Sequence, residues 1–252
     1  MKPLPKAILL DMDDTILASG SADECWQAVC NGFESHLGKR KPQELLATIQ
    51  EYRAWYWSDA ERHRSGRLDL RGAQQTIVGE SLQRLGIDDP PLAREIARAY
   101  SDMRDLAITP FPGALDALRE LRCRGVTLAL ITNGNAELQR SKIVKHGLAT
   151  FFDYILIEGE LGFGKPDEKV YLHALDLLKV EPEQVWMVGD NLEWEVAAPQ
   201  RLGIYSIWLD FAGSGLPQAS SVRPDWIITS LPELLQAERS QTNDVCSLRN
   251  VS

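Results

Sequence analysis

Acidic, hydroxyl-bearing and basic residues stand soon after several short apolar runs of this sequence. In chain order they are Asp11, Asp13, Thr132, Asn133, Lys165, Asp190 and Glu195. If the runs are parallel strands of one sheet, their carboxyl ends meet at one edge, which is where open sheets of this kind bind ligands. Aspartates gathered there repel one another unless they share a cation. Because every candidate ligand is an oxygen, the sequence predicts a Mg²⁺ site.

The elements that must position these residues follow from the hydrophobic pattern. The apolar runs lie at 7–10, 126–131, 154–157, 185–188 and 204–209, and the helix-like segments at 112–124, 134–146, 167–179 and 192–202. Continuous apolar strands that alternate with amphipathic helices are typical of a parallel sheet covered on both faces. The sequence therefore predicts an α/β fold with a Rossmann-like, doubly wound parallel sheet.

A helical insertion interrupts this alternation between residues 18 and 109. Its helical patterns lie near 21–38, 42–57, 69–85 and 91–107. Turn-forming residues stand at both of its ends, Ser19-Gly20-Ser21 and Thr109-Pro110. We therefore expect residues 1–17 and 110–235 to form the α/β core, residues 18–109 an inserted all-helical domain, and residues 236–252 a flexible tail.

Composition and charge restrict the class of protein. The 252 residues are 44% hydrophobic and 25% charged, which is typical of a folded globular chain. The 27 basic and 36 acidic residues give a net charge of −9, so we expect no nucleic-acid partner. Neither a signal peptide nor an apolar stretch of about 18 residues is visible, which predicts a cytoplasmic protein without membrane association. The cysteines, Cys25, Cys30, Cys123 and Cys246, form no C-x-x-C pair, so neither a zinc site nor a disulfide framework is expected.

The chemistry-bearing residues form an ordered set of motifs. D-x-D-x-T at 11–15, Thr132 at a strand end, Lys165, and Gly189-Asp190 resemble the haloacid dehalogenase superfamily, and within it the Mg²⁺-dependent phosphohydrolases. The resemblance covers residues 1–17 and 110–235, and the helical insertion resembles the α-helical cap of that family. One position departs from the pattern. Where the family often has a second aspartate after Asp190, this chain has Glu195, which we expect to act through a metal-bound water or by holding Lys165.

The resemblance implies a phosphatase that hydrolyses a small phosphomonoester. Asp11 would be the nucleophile that forms an aspartyl phosphate, and Asp13 the general acid and base. Thr132, the backbone around Asn133, and Lys165 would bind the phosphoryl group. Mg²⁺ would be held by Asp11, the backbone carbonyl of Asp13, and Asp190, with Glu195 beyond the direct ligands.

The inserted domain carries an aromatic segment, residues 52–57, followed by basic residues. Arg62, His63 and Arg67 are the predicted specificity residues, which would hold the rest of a small phosphorylated metabolite by charge and stacking. In that arrangement the domain closes over the site and excludes water. The alternative is a buried aromatic stripe beside a solvated basic face.

Three other functions are alternatives to a phosphatase. A phosphomutase would return the phosphoryl group from Asp11 to a sugar, and no residue distinguishes it. A catalytically silent binding or regulatory protein would be expected to lack at least one of Asp11, Asp13, Lys165 and Asp190, all of which are present. A dehalogenase is disfavoured, because cleaving a carbon–halogen bond needs neither Asp13 nor a metal. The sequence predicts neither the individual substrate nor the oligomeric state.

Overall fold

The structure is a computed structural model that describes residues 3–237. The chain divides into two compact units. The sheet unit comprises the chain up to Ala18 and from Pro110 onward, and the helical unit comprises Ser19–Thr109. The predicted tail, apart from Gln236 and Ala237, lies outside the described residues, as does Cys246.

The sheet unit is built on six parallel strands. The described strands are β1 (Ala7–Leu10), β2 (Leu17–Ala18), β3 (Thr109–Pro110), β4 (Thr127–Thr132), β5 (Tyr154–Ile157), β6 (Val185–Gly189), β7 (Tyr205–Leu209) and β8 (Trp226–Ile228). The large sheet has the order β5-β4-β1-β6-β7-β8, and each neighbouring pair is parallel. β2 and β3 pair separately as two-residue strands. The predicted parallel α/β sheet is therefore confirmed.

Helices account for most of the remaining chain. The described α-helices are α1 (Ala22–Gly32), α2 (Pro42–Trp57), α3 (Ala60–Leu68), α4 (Leu70–Arg84), α5 (Pro90–Ala107), α6 (Ala114–Cys123), α7 (Ala136–Lys145), α8 (Glu158–Leu161), α9 (Glu168–Leu178) and α10 (Ala198–Gln200). A π-helical segment, Leu192–Ala197, directly precedes α10. Short 3-10 helices lie at Glu34–His36, Leu148–Phe151, Pro182–Gln184 and Leu231–Gln236.

The central strand β1 has every residue buried, because its Ala-Ile-Leu-Leu sequence presents apolar side chains to both faces of the sheet. From β1 the chain passes to β4 and β5 on one side, then crosses to β6, β7 and β8 on the other. Such a reversal opens a crevice at the carboxyl ends of the strands. Leu10 pairs in register with Leu130 and with Val188. This register brings Asp11, Thr132 and Asp190 to the same edge of the sheet.

The helical unit has its own apolar core, to which α1, α2, α4 and α5 contribute. Its centre includes Trp26, whose ring stacks on Tyr100 with the centroids 3.7 Å apart. The sequence predicted no helix over α3, because that segment is polar and lacks apolar periodicity. The helix fits against α2 at Gly66, where a Cβ atom would lie 2.8 Å from the Trp57 ring and 2.9 Å from the Tyr56 ring.

Two further sequence expectations concern bilayer segments and cysteines. Within residues 3–237, no helix combines the length and the apolar character that crossing a bilayer requires. Within the described residues, Cys25, Cys30 and Cys123 form no disulfide. Cys25 and Cys30 are buried in the helical unit, whereas Cys123 is exposed at the end of α6.

Candidate active site

A buried lysine joins two acids at the edge of the sheet. Lys165 Nζ lies 2.5 Å from Asp11 Oδ1 and 2.7 Å from Glu195 Oε1. Lys165 and Glu195 are each 1% exposed, and Asp11 is 7% exposed. The second oxygen of Asp11 accepts a hydrogen bond from Thr15 Oγ1 at 3.3 Å. Asp11 is thereby oriented on both sides, with Lys165 as the counter-ion that favours its charged form.

The loop that carries Lys165 is tied to the loop after β4 by Asn133. The Asn133 Nδ2 group donates to the Lys165 carbonyl at 2.7 Å, and the Lys165 N–H donates to Asn133 Oδ1 at 2.9 Å. The loop after β4 is also held by Glu158, whose Oε2 accepts a hydrogen bond from the Gly134 N–H at 3.0 Å. The sequence predicted only a phosphate-binding backbone around Asn133. The structure adds that the Asn133 side chain holds the Lys165 backbone.

Glu195 reaches Lys165 from the segment after β6. Its Oε2 accepts a hydrogen bond from the Asn191 N–H at 2.8 Å, while its Oε1 contacts Lys165. Its side chain passes so close to Gly189 that a Cβ atom at that position would overlap it. Of the two roles expected for Glu195, holding Lys165 is the one for which the structure supplies a direct contact.

Burial and charge shift the pKa values of this cluster. Burial raises the pKa of Asp11, and the nearby Lys165 charge partly opposes the rise. Burial, with the charges of Asp11, Glu195 and Asp14, raises the pKa of Asp190 to about 8. Burial also raises the pKa of Glu195 to about 7 against the effect of Lys165. For Lys165, burial lowers the pKa, but the Asp11 and Glu195 charges outweigh it and raise the pKa overall.

The same cluster fits a divalent cation by charge and by donor type. One lysine faces the carboxyl groups of Asp11, Asp190 and Glu195, so a second cation would relieve the remaining repulsion. Within residues 3–237, no three Asp, Glu, His or Cys side chains form a complete ligand cluster. The predicted set needs only two carboxylates, from Asp11 and Asp190, and the Asp13 carbonyl oxygen. Water would have to complete the shell of a hard cation such as Mg²⁺.

Asp13 contacts two residues of α7 that were not predicted from the sequence, and one of them also contacts Thr132. Lys142 Nζ lies 2.7 Å from Asp13 Oδ1, and Gln139 Nε2 lies 2.8 Å from Asp13 Oδ2. The same Gln139 nitrogen is 2.6 Å from Thr132 Oγ1. A signal was present in the sequence, because Gln139 and Lys142 are three residues apart on the helix that follows Thr132, and therefore share one helix face.

The predicted specificity residues belong to the helical unit. Arg62 donates through Nε to the Tyr56 carbonyl at 3.2 Å and through an Nη to the Trp55 carbonyl at 2.9 Å. Its guanidinium carbon lies 4.0 Å from the centroid of the Trp55 ring. An Nη of Arg67 lies 3.2 Å from His63 Nδ1. Arg62 therefore links α3 to the end of α2, and Arg67 contacts His63 on the same helix.

Comparison with known proteins places the chain in a family. A family model described as haloacid dehalogenase-like hydrolase matches residues 5–203. Over 92% of its length the chain is 33% identical to the phosphoserine phosphatase of Thermus thermophilus, of which it covers 99%. Over 95% of its length it is 29% identical to the glyceraldehyde 3-phosphate phosphatase of Methanopyrus kandleri, of which it covers 99%.

A solved structure extends the similarity to the whole fold. The 2-haloacid dehalogenase of Pseudomonas syringae matches with a TM-score of 0.62 and 25% sequence identity. The match covers 94% of this chain and 98% of that one. The matched residues therefore include both the sheet and the inserted helices of this chain.

Proposed function

The chain belongs to the haloacid dehalogenase-like hydrolases, and we propose that it is a Mg²⁺-dependent phosphatase acting on a small phosphomonoester. The observation that carries the proposal is the presence of two separately held carboxylates after β1. Asp11 contacts Lys165 and Thr15, whereas Asp13 contacts Lys142 and Gln139. Separate partners allow the two acids to take different roles, one as nucleophile and one as acid and base.

In the first step, a carboxylate oxygen of Asp11 attacks the phosphorus atom of the substrate. The bond between phosphorus and the leaving oxygen breaks, and a proton passes from Asp13 to that oxygen. Asp11 then carries the phosphoryl group as an aspartyl phosphate. The Lys165 ammonium group, 2.5 Å from Asp11, favours the ionised form of the nucleophile and offsets the charge of the phosphoryl oxygens.

In the second step, Asp13 is a carboxylate and accepts a proton from a water molecule as the water attacks phosphorus. The bond between phosphorus and Asp11 breaks. The products are inorganic phosphate, the Asp11 carboxylate, and Asp13 in its protonated form, ready for the next turnover. Thr132, which is 1% exposed, and the backbone around Asn133 bind phosphoryl oxygens throughout both steps.

Asp11, Asp190 and the Asp13 carbonyl are the proposed holders of Mg²⁺. The charge excess at Asp11, Asp190 and Glu195 supports this proposal. When bound, the ion neutralises charge on the phosphoryl oxygens. Glu195 acts on this arrangement through Lys165, which it contacts at 2.7 Å.

The helical unit is our proposed source of substrate specificity, through Arg62, His63 and Arg67. Of these, Arg62 already donates to two carbonyl groups of its own unit, so its loss would also weaken the α2–α3 junction. Arg67 is therefore the sharper test of a contact with substrate. The phosphoserine and glyceraldehyde 3-phosphate phosphatases among the relatives support a small phosphorylated metabolite as substrate.

Phosphate release from a panel of phosphomonoesters tests this function. The panel should contain phosphoserine, glyceraldehyde 3-phosphate, sugar phosphates, nucleoside monophosphates, phosphoglycolate and p-nitrophenyl phosphate, each with Mg²⁺ and with excess chelator. We expect release only with Mg²⁺. We also expect Asp11→Asn to lower kcat by at least about a hundredfold, because a covalent nucleophile is lost.

The matched control is Asp116→Asn, which changes an exposed aspartate of α6 and should leave kcat unchanged. More than about a hundredth of the wild-type kcat in Asp11→Asn would contradict the nucleophile assignment. Phosphate release in excess chelator would contradict the metal requirement. Halide release from 2-chloropropionate without phosphate release would favour the dehalogenase instead.

A further inference from the structure

Helix α7 supplies two side chains that the proposed mechanism does not use. Lys142 and Gln139 each contact a different oxygen of Asp13, at 2.7 Å and 2.8 Å. A carboxyl group held at one oxygen still rotates about its side-chain bonds, whereas one held at both oxygens has its plane fixed. Each carboxylate oxygen has two lone pairs, so these contacts leave Asp13 a position for the proton that it donates to the leaving oxygen and later accepts from a water molecule.

Gln139 also connects Asp13 to the phosphate-binding residue. Its Nε2 atom lies 2.6 Å from Thr132 Oγ1 and 2.9 Å from the Asn133 carbonyl oxygen. Gln139 is 3% exposed, so water hardly competes with these partners for its amide group. The two hydrogens of the Gln139 amide are shared among three acceptors. Because the same nitrogen contacts both groups, Gln139 links the Asp13 carboxylate to the Thr132 hydroxyl.

The position of α7 is itself well determined. Its first turn is capped by Asn135, whose Oδ1 accepts from the Leu138 N–H at 3.2 Å. Ile143, which is 1% exposed and one turn after Gln139, anchors the same side of the helix in the apolar interior. Lys142 keeps a partly exposed side chain, 20% accessible, so its ammonium group is reached by solvent while it contacts Asp13.

We propose that Gln139 and Lys142 are positioning residues for proton transfer, holding the Asp13 carboxyl group beside Thr132 and aimed at the leaving oxygen. This inference rests on the proposed function, in which Asp13 protonates the leaving group. Neither residue touches the reacting atoms in this account. Lys142 acts through Asp13, whereas Gln139 acts through both Asp13 and Thr132.

Leaving-group dependence distinguishes this role from a structural one. An alkoxide leaving group needs a proton from Asp13, whereas p-nitrophenolate leaves with little help. The ratio kcat/KM reports the reaction up to the first irreversible step, the transfer of the phosphoryl group to Asp11, so the later use of Asp13 as a base does not enter it. We expect Lys142→Met to lower kcat/KM about 10- to 100-fold for the best alkyl phosphate of the panel, and less than about threefold for p-nitrophenyl phosphate.

Four further variants test this role more stringently. Lys145→Met removes an exposed lysine from the same helix and should leave both kcat/KM values unchanged. Lys142→Arg, which keeps a cationic donor, should recover part of the alkyl phosphate activity. In an Asp13→Asn background, Lys142→Met should have no further effect, because residues that act through one group are not additive. Gln139→Met should lower kcat/KM on both substrates, because Thr132 also loses a contact, and the loss should be larger for the alkyl phosphate.

The possible results separate this inference from the function on which it rests. A wild-type protein that hydrolyses no phosphomonoester would overturn both. An active wild type with Lys142→Met unchanged on both substrates, or reduced equally on both, would overturn the positioning role and leave the phosphatase intact. An additive loss in the Asp13→Asn background would likewise assign Lys142 to a function other than holding Asp13.

Discussion

Lys165 is the residue on which the charge balance of the site depends. It contacts Asp11 and Glu195 with a single ammonium group that is 1% exposed. Removal of this charge would leave two buried carboxylates without their cation, a change that typically costs several kcal/mol. Asp190 adds a third acid, whose pKa is raised to about 8 mainly by burial and by the charge of Asp11. The negative charge of Asp190 that would hold a cation therefore lowers the stability of the metal-free protein.

The pH dependence of the free energy of unfolding of the metal-free protein tests this effect of Asp190. Its pKa is about 8 in the folded chain against the ordinary value of 3.8. The folded state then binds more protons than the unfolded state between these values, so its stability falls as pH rises through this window. We expect Asp190→Asn to raise the free energy of unfolding in chelator by roughly 1–3 kcal/mol at pH 8, and by much less near pH 4.

Urea unfolding in chelator at the two pH values measures this difference. Asp176→Asn is the control, since Asp176 is exposed and its contact with Lys179 lowers its pKa, so no gain in stability is expected there. The prediction is wrong if Asp190→Asn is no more stable than the wild type at pH 8.

The individual site residues were predictable to different degrees. Asp11, Lys165 and Asp190 were selected because each lies beyond an apolar run. The register of β1 with β6 explains the common edge of Asp11 and Asp190, and the pairing of β4 with β5 brings the loop of Lys165 to that edge. Gln139 and Lys142 were not selected, because they lie inside a helix and not at the end of an apolar run. Their shared helix face is visible in the sequence, but their contacts with Asp13 depend on how α7 lies against the end of β1.

At the scale of elements, strands with a continuous apolar pattern were predicted well and edge or polar elements were not. The run at 7–10 coincides with β1, and the run at 154–157 coincides with β5. β8 was missed, since it has three residues at the sheet edge and only one of them is buried. α3 was missed, because its packing depends on Gly66 and not on an apolar face.

The segment after β6 contains a type of helix that was not predicted. A single helix was expected over 192–202, and the structure has a π-helical segment before α10. Within it, Glu195 turns inward to Lys165, and the Trp194 carbonyl accepts a hydrogen bond from the Tyr171 hydroxyl. π-helical turns are frequent at functional sites, and the amphipathic pattern does not distinguish them from α-helix.

At the scale of the whole molecule, the proposal divides the work between the two units. The sheet unit holds the groups that act on any phosphoryl group, and the helical unit is proposed to contact the rest of the substrate. We expect Arg67→Ala to raise KM for the best substrate about 10- to 100-fold, the value of one or two charge-assisted hydrogen bonds. Hydrolysis of p-nitrophenyl phosphate should stay nearly unchanged.

Steady-state kinetics on both substrates check this division. Arg64→Ala, which removes an exposed arginine of the same helix, is the control and should change neither KM value. Equal losses on the two substrates in Arg67→Ala would remove Arg67 from substrate recognition. An unchanged KM for the best substrate would favour the solvated basic face instead.

The central claim is that Asp11 itself receives the phosphoryl group. The direct measurement is mass spectrometry of the peptide that contains Asp11, after Asp13→Asn has been mixed with p-nitrophenyl phosphate and Mg²⁺ and quenched in acid. This variant should accumulate the intermediate, because the aryl group leaves without an acid while water lacks its base. We expect one phosphoryl group on Asp11, removable by hydroxylamine and absent when Asp11→Asn is added. A phosphoryl group on another residue, or p-nitrophenol release in the first turnover without any phosphorylated Asp11, would contradict it.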